Sequence, residues 1–266
     1  KDAPQGDASL EGAEFTWKFY AGHYTADNLP SEPTKTWVTK TIAEKDSNGT
    51  IHYVSRLSDE YKVSGDSFYT QGGKNVLPLG TLTVEETKAP DGYLLDGAYM
   101  QANGSEEQIK GMYLTQITED GDIAVLSGSN QFSVSDEVIR GGVKIQKRDL
   151  ETSDTKGQGS ATLKEAEFEI ISLNDNAVLV EGKLYSKNEV VKTILTDIEG
   201  VASTSADLLP YGKYRIEESK APEGYLTDGA EPIEFEITED GKIIDLTGTD
   251  TSIYNQVKRG DLEGVK

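Results

Sequence analysis

Along most of the chain apolar and polar residues alternate with a period of two. Val143-Lys144-Ile145-Gln146-Lys147, Tyr214-Arg215-Ile216-Glu217-Glu218 and Ile233-Glu234-Phe235-Glu236-Ile237 are clear cases. Successive side chains of a strand point to opposite faces, so each stretch predicts a strand with one buried face. Turn signals such as EDG, DSNG and PEG separate these stretches about every ten residues. No segment keeps amphipathic helical spacing over three turns. Short strands at this spacing predict an all-β chain built of Ig-like antiparallel β-sandwiches.

The pattern occurs twice, and repeats are read before anything else. LPLGTLTVEETKAPDGY (77–93) pairs with LPYGKYRIEESKAPEGY (209–225), and ITEDGDIAVLSG (117–128) with ITEDGKIIDLTG (237–248). QGDASLEGAEF (5–15) pairs with QGSATLKEAEF (158–168), and VIRGGVK (138–144) resembles VKRGDLEGVK (257–266). Four matches in one order predict two tandem domains, 1–140 and 141–259. Residues 260–266 then read as a linker and the first strand of a following repeat. The first domain is the longer, and its insertions are expected around residues 19–37 and 100–113. It also lacks a counterpart of the strand GVKIQKRD that opens the second, so that strand is expected upstream.

Composition narrows the function classes. The formal net charge is −21, which argues against nucleic acid or an anionic membrane as partner. No apolar run is long enough to span a membrane. Cysteine is absent and histidine occurs only as His23 and His52, so disulfides, histidine metal sites and Ser-His-Asp chemistry are not expected. Acidic pairs such as Glu119-Asp120 and Glu239-Asp240 read as solvated hairpin turns. No metal and no cofactor is expected.

Candidate chemistry comes from polar residues at inward positions. Parity places Lys147 with Val143 and Ile145, Glu218 with Tyr214 and Ile216, and Asn255 with Ile253 and Val257. Lys144, Glu217 and Glu85 fall on outer faces. Burial favours the neutral form of both an amine and a carboxylic acid. A neutral amine is a nucleophile, and a neutral acid can hydrogen-bond an amide oxygen and polarise its carbon. Attack of Lys147 Nζ on Asn255 Cγ, with Glu218 moving protons, would release ammonia and leave an isopeptide crosslink. In the first domain the counterparts are Glu86, Asp136 and, as amine, Lys1. Lys1 lies closer to Leu10 than Lys147 does to Leu163, which again points to a lysine further upstream.

Three motifs carry a family resemblance. They are Lys147-Arg148-Asp149, Leu163 through Phe168, and Tyr214 through Tyr225, followed by the late Asn255. The chain resembles the collagen-adhesin B-type (SpaA-like) domains of Gram-positive pilins and surface adhesins, in two tandem copies. The resemblance implies a β-sandwich stalk module with an autocatalytic isopeptide bond between first and last strands. The lysine, the glutamate and the Asn or Asp would hold the roles above, with Asp136 losing water instead of ammonia. It implies a secreted protein on the cell wall or cell surface, with neighbouring repeats of the same protein as partners. A second reading is a binding module for a host extracellular-matrix protein or glycan, using the first-domain insertions. Tyr20, Tyr24, Trp37 and Tyr113 would then offer stacking surface. A carboxylate-pair glycosidase is the enzymatic alternative. Adjacent glutamates on a strand face opposite ways, which argues against it.

Overall fold

The computed structural model describes residues 4–102, 108–119, 132–227 and 230–264. The chain forms two compact units that divide between Val138 and Ile139, with Gln5–Asp7 grouping with the second. Apart from one 3-10 turn at Ala26–Asn28, the regular elements among the described residues are strands.

The first unit contains β1 (Glu14–Tyr20), β2 (Lys35–Lys40), β3 (Ile42–Lys45), β4 (Ile51–Val54), β5 (Lys62–Gly65) and β6 (Tyr69–Gln71). It continues with β7 (Lys74–Val76), β8 (Gly80–Lys88), β9 (Tyr93–Ala102), β10 (Gln108–Lys110), β11 (Met112–Ile117) and β12 (Phe132–Val138). One sheet runs β11-β8-β1-β2-β5 and another β10-β9-β12, while β3–β4 and β6–β7 are separate hairpins. Phe15, Trp17, Phe19, Trp37, Leu82 and Val84 from the first sheet pack with Met100 and Val134 from the other. Alternation along each strand supplies that core.

The second unit contains β13 (Arg140–Asp149), β14 (Glu167–Ser172), β15 (Val178–Val180), β16 (Lys183–Tyr185), β17 (Val190–Leu195) and β18 (Val201–Ser203). It continues with β19 (Leu209–Pro210), β20 (Gly212–Lys220), β21 (Ile233–Ile237), β22 (Ile243–Leu246) and β23 (Ile253–Asn255). One sheet runs β17-β14-β20-β21, and β13 organises the facing sheet with β18, β19, β22 and β23. Val143 and Ile145 of β13 meet Phe168, Ile170, Tyr214 and Ile216 across the core. Most pairings are antiparallel, but β13 runs parallel to both β22 and β23. Gly142 lets the backbone after β18 approach β13 closely, because a Cβ there would lie 2.3 Å from the Ser205 carbonyl oxygen.

The two units share local hydrogen bonding. Ala13 N donates to Thr41 Oγ1, which donates to Leu10 O; Ala166 N donates to Thr196 Oγ1, which donates to Leu163 O. Tyr93 N donates to Pro90 O, and Tyr225 N to Pro222 O. Gly12, at φ +88°, has Glu165 at φ +62° as its counterpart, so a glutamate occupies the left-handed region favoured by glycine.

The Thr41/Thr196 match corrects the expected site of the larger insertion. The offset between the units is 155 at that pair and 132 at Pro90/Pro222, so 23 extra residues lie between Thr41 and Pro90. They build β3–β4, β5 and β6–β7, not the segment 19–37. The second insertion extends β9 and adds β10, with residues 103–107 outside the described set. Trp37 and Tyr20, expected as ligand-stacking surface, are core residues, and Trp37 stacks on Phe68. Sequence patterning missed this because a bulky aromatic on a polar-flanked strand reads alike on either face.

Candidate functional site

Lys147 lies on the inner face of β13 beyond Val143 and Ile145, with no exposed side-chain surface, while Lys144 is exposed. Glu218 lies on β20 opposite Phe168 of β14, where the register shifts past Ser219. The first unit has the same shift, with Glu86 opposite Phe15. Ser219 and Thr87 are thus bulged strand residues, and a bulge re-aims neighbouring side chains. Asn255 ends β23 opposite Asp149, two residues beyond Lys147 on the same face of the parallel pair.

These placements bring the three polar groups together inside the core. Lys147 Nζ is 3.0 Å from Glu218 Oε1, and the two side chains are 0% and 1% exposed. The approach is off the hydrogen-bond direction, so neither atom has a hydrogen-bond partner. Asn255 Nδ2 donates to Glu218 Oε2 at 2.6 Å and to the Leu226 carbonyl at 2.5 Å. Asn255 Oδ1 has no hydrogen-bond partner. One carboxyl therefore touches the amine through one oxygen and the amide nitrogen through the other. The expectation of an acid bonded to the amide oxygen is replaced by contact with the nitrogen. Burial pushes Lys147 down to about 8 from 10.5, although Glu218 pulls the other way. The Phe168 ring, 5.8 Å from Nζ, helps keep water out.

Asp149 is part of the same construction. Its side chain is fully buried. Oδ1 accepts from Glu151 N, Thr152 N, Thr152 Oγ1 and Gln158 Nε2, and Oδ2 accepts from the Tyr225 hydroxyl at 2.8 Å. Burial raises its pKa, and these hydrogen bonds outweigh burial to hold it below the usual carboxylate range. Sequence reasoning named Asp149 and Tyr225 only as motif letters. Parity was a usable signal, since Asp149 falls on the face of Lys147.

The first unit brings Glu86 and Asp136 together. Both Glu86 oxygens and Asp136 Oδ1 are buried without a hydrogen-bond partner. Burial, then repulsion from Asp136, pushes Glu86 up to about 9, and burial raises Asp136 as well. Lys1 lies outside the described residues. Among the described residues no cluster of three or more His, Cys, Asp or Glu could hold a metal ion.

Two of the three buried groups, Lys147 and Glu218, sit within a stretch that a known family describes. Residues 141–252 match the family model SpaA, a prealbumin-like fold domain. The SpaA match runs from the second residue of β13 to the end of the loop before β23, so it includes Lys147 and Glu218 and stops short of Asn255. No curated protein matches the chain by sequence. Among solved structures, the Bacillus anthracis TIE protein aligns at 19% identity and TM-score 0.43, covering 97% of this chain and 56% of that one. The group B streptococcus pilus 2b backbone protein aligns at 13% identity and TM-score 0.35, covering 97% and 90%. Shaft pilin spaA from Lactobacillus rhamnosus GG aligns at 15% and 0.31, covering 96% and 90%. The chain thus spans little more than half the length of the TIE protein chain.

Proposed function

We propose that the second unit crosslinks itself through an amide between Lys147 Nζ and Asn255 Cγ. The observation that carries this reading is the Glu218 carboxyl lying between the amine and the amide nitrogen, all three groups being shut away from water. The neutral amine attacks Cγ and passes a proton to Glu218 Oε1. Glu218 returns a proton through Oε2 to Nδ2, the Cγ–Nδ2 bond breaks, and ammonia leaves. The bond formed is Nζ–Cγ, and Glu218 ends as it began. The fold supplies proximity in place of a second enzyme.

The same reading makes the chain a load-bearing segment of a Gram-positive surface or pilus protein, outside the cell and linked to neighbouring repeats. β13 and β23 are parallel neighbours near the two ends of the second unit, so force along the chain shears them. A covalent bond between them replaces a hydrogen-bond ladder as the loaded element, in a chain without cysteine. The first unit is proposed as a second SpaA-like copy, supported by the shared Thr41/Thr196 hydrogen bonds and the shared bulge beside Glu86 and Glu218. There Asp136 and Glu86 would be acceptor and acid.

The test is the intact mass of the folded chain. It should be lower than its sequence mass by one ammonia, and a proteolytic fragment should join the segments around Lys147 and Asn255. Glu218→Ala should restore the ammonia. A wild-type chain at full sequence mass overturns the proposal.

A further inference from the structure

Asn255 is held by two backbone groups outside its own strand. Leu150 N donates to its carbonyl oxygen at 3.0 Å, and the Leu226 carbonyl accepts from its Nδ2 at 2.5 Å. The residues preceding these two groups are Asp149 and Tyr225, whose side chains bond each other at 2.8 Å. Backbone bonds close the rest of the ring. Leu226 N donates to Gln256 O and Lys258 N to Gly224 O, and Tyr225 forms a bridge with Val257. Tyr225 packs in a small cluster with Leu163 and Val257, so its ring is fixed as well as its hydroxyl.

An amide side chain has a choice that this ring removes. Its nitrogen and oxygen are close in shape, and rotation by half a turn exchanges them. The Leu226 carbonyl can only accept, so it takes the nitrogen and excludes the oxygen. With Nδ2 so turned, Nδ2 meets Glu218 Oε2, the oxygen not facing Lys147. In the exchanged orientation the leaving nitrogen would face away from the proton it needs. The alignment of the leaving group therefore depends on where the Leu226 carbonyl stands, and that depends on the Tyr225–Asp149 bond.

We propose that Asp149 and Tyr225 are positioning residues for the crosslinking reaction, acting through the Leu226 carbonyl to aim the Asn255 amide nitrogen at Glu218. The inference rests on the crosslinking reading above. It explains why an aspartate two residues after the lysine accompanies a Gly-Tyr turn in this unit. The aspartate travels on the nucleophile's own strand, so one hydrogen bond sets the leaving group relative to the attacking amine.

The experiment uses the full chain collected as never-folded inclusion bodies, dissolved in denaturant at its full sequence mass and refolded by dilution, with ammonia loss followed by intact mass over time. Tyr225→Phe keeps the ring and deletes the hydroxyl. It should refold, and its crosslinking rate per folded molecule should fall at least ten-fold. The pH midpoint of the rate, set by Lys147, should stay in place, which distinguishes aiming from a changed nucleophile. Asp149→Asn, which keeps shape and one acceptor oxygen, should slow the reaction in the same direction and by less. Ile237→Val, a core truncation at the other end of the sheet, loosens packing and should leave the rate unchanged. Tyr225→Phe reacting at the wild-type rate while folded overturns the inference, and so does equal slowing by Ile237→Val. A wild-type chain that never loses ammonia overturns the crosslinking reading itself, which the variants do not confound.

Discussion

The reactivity of Lys147 should follow a pH curve that the burial of its amine dictates. The perturbation is the pH of refolding. Burial brings the ammonium down to about 8 from 10.5. At pH 7 about one Lys147 in ten is then neutral, against about one in 3,000 for a lysine in water. The crosslinking rate should rise about ten-fold per pH unit up to about pH 8 and level off above it. The same gap bears on the stability of the chain while Lys147 is still an amine. The folded value lies below the unfolded one, so the unfolded chain holds the proton more tightly. The uncrosslinked fold therefore carries a penalty of about 3 kcal/mol, full below about pH 8 and relieved between about 8 and 10.5. In the proposed reaction, turning the amine into an amide would remove that penalty for good. The assay is the time course of ammonia loss by intact mass, with refolding buffered from about pH 6 to about pH 10. A rate still climbing ten-fold per unit above pH 9, or one flat throughout, would refute the argument that burial prepares the nucleophile.

Two further perturbations test the framework. Glu86 is pushed up to about 9 from 4.5 by burial and by Asp136. The unfolded carboxyl ionises first, so the first unit should lose stability as pH rises from about 4.5 to about 9. Glu86→Gln should flatten that slope and stabilise the unit at pH 8; Trp17 and Trp37, the chain's two tryptophans, report it by fluorescence. A variant curve parallel to wild type would count against a strained carboxyl pair. Thr196→Val strips a buried hydroxyl that accepts from Ala166 N and donates to Leu163 O. It should cost the second unit about 1–3 kcal/mol in calorimetric unfolding, because two backbone groups lose their partner. A loss within a few tenths of a kcal/mol would show that the pin is unimportant.

Much of the candidate site was legible because strand parity is local. Once GVKIQKRD and YRIEES are strands, Lys147 and Glu218 must share a face with Val143, Ile145, Tyr214 and Ile216, whatever those strands pair with. The recurring Pro-Gly turn was legible for a similar reason, since like sequences make like turns, as the Pro90–Tyr93 and Pro222–Tyr225 bonds illustrate. The insertion was misplaced because counting residues between matches cannot say where the extra ones sit. Only the hydrogen bonds of Thr41 and Thr196 located them.

By itself the sequence determined an all-β chain, the recurrence of four motifs in one order and the inward direction of a lysine, a glutamate and an asparagine in the second unit. Tertiary structure alone decided that β13 and β23 run parallel, that one carboxyl reaches both the amine and the amide nitrogen, and that the Leu226 carbonyl chooses the orientation of that amide. The division has a physical cause. The face a side chain takes is set by its immediate neighbours along the strand. Its partner is set by which distant strands the core brings alongside, and the contacts that aim Asn255 join residues 149, 226 and 255.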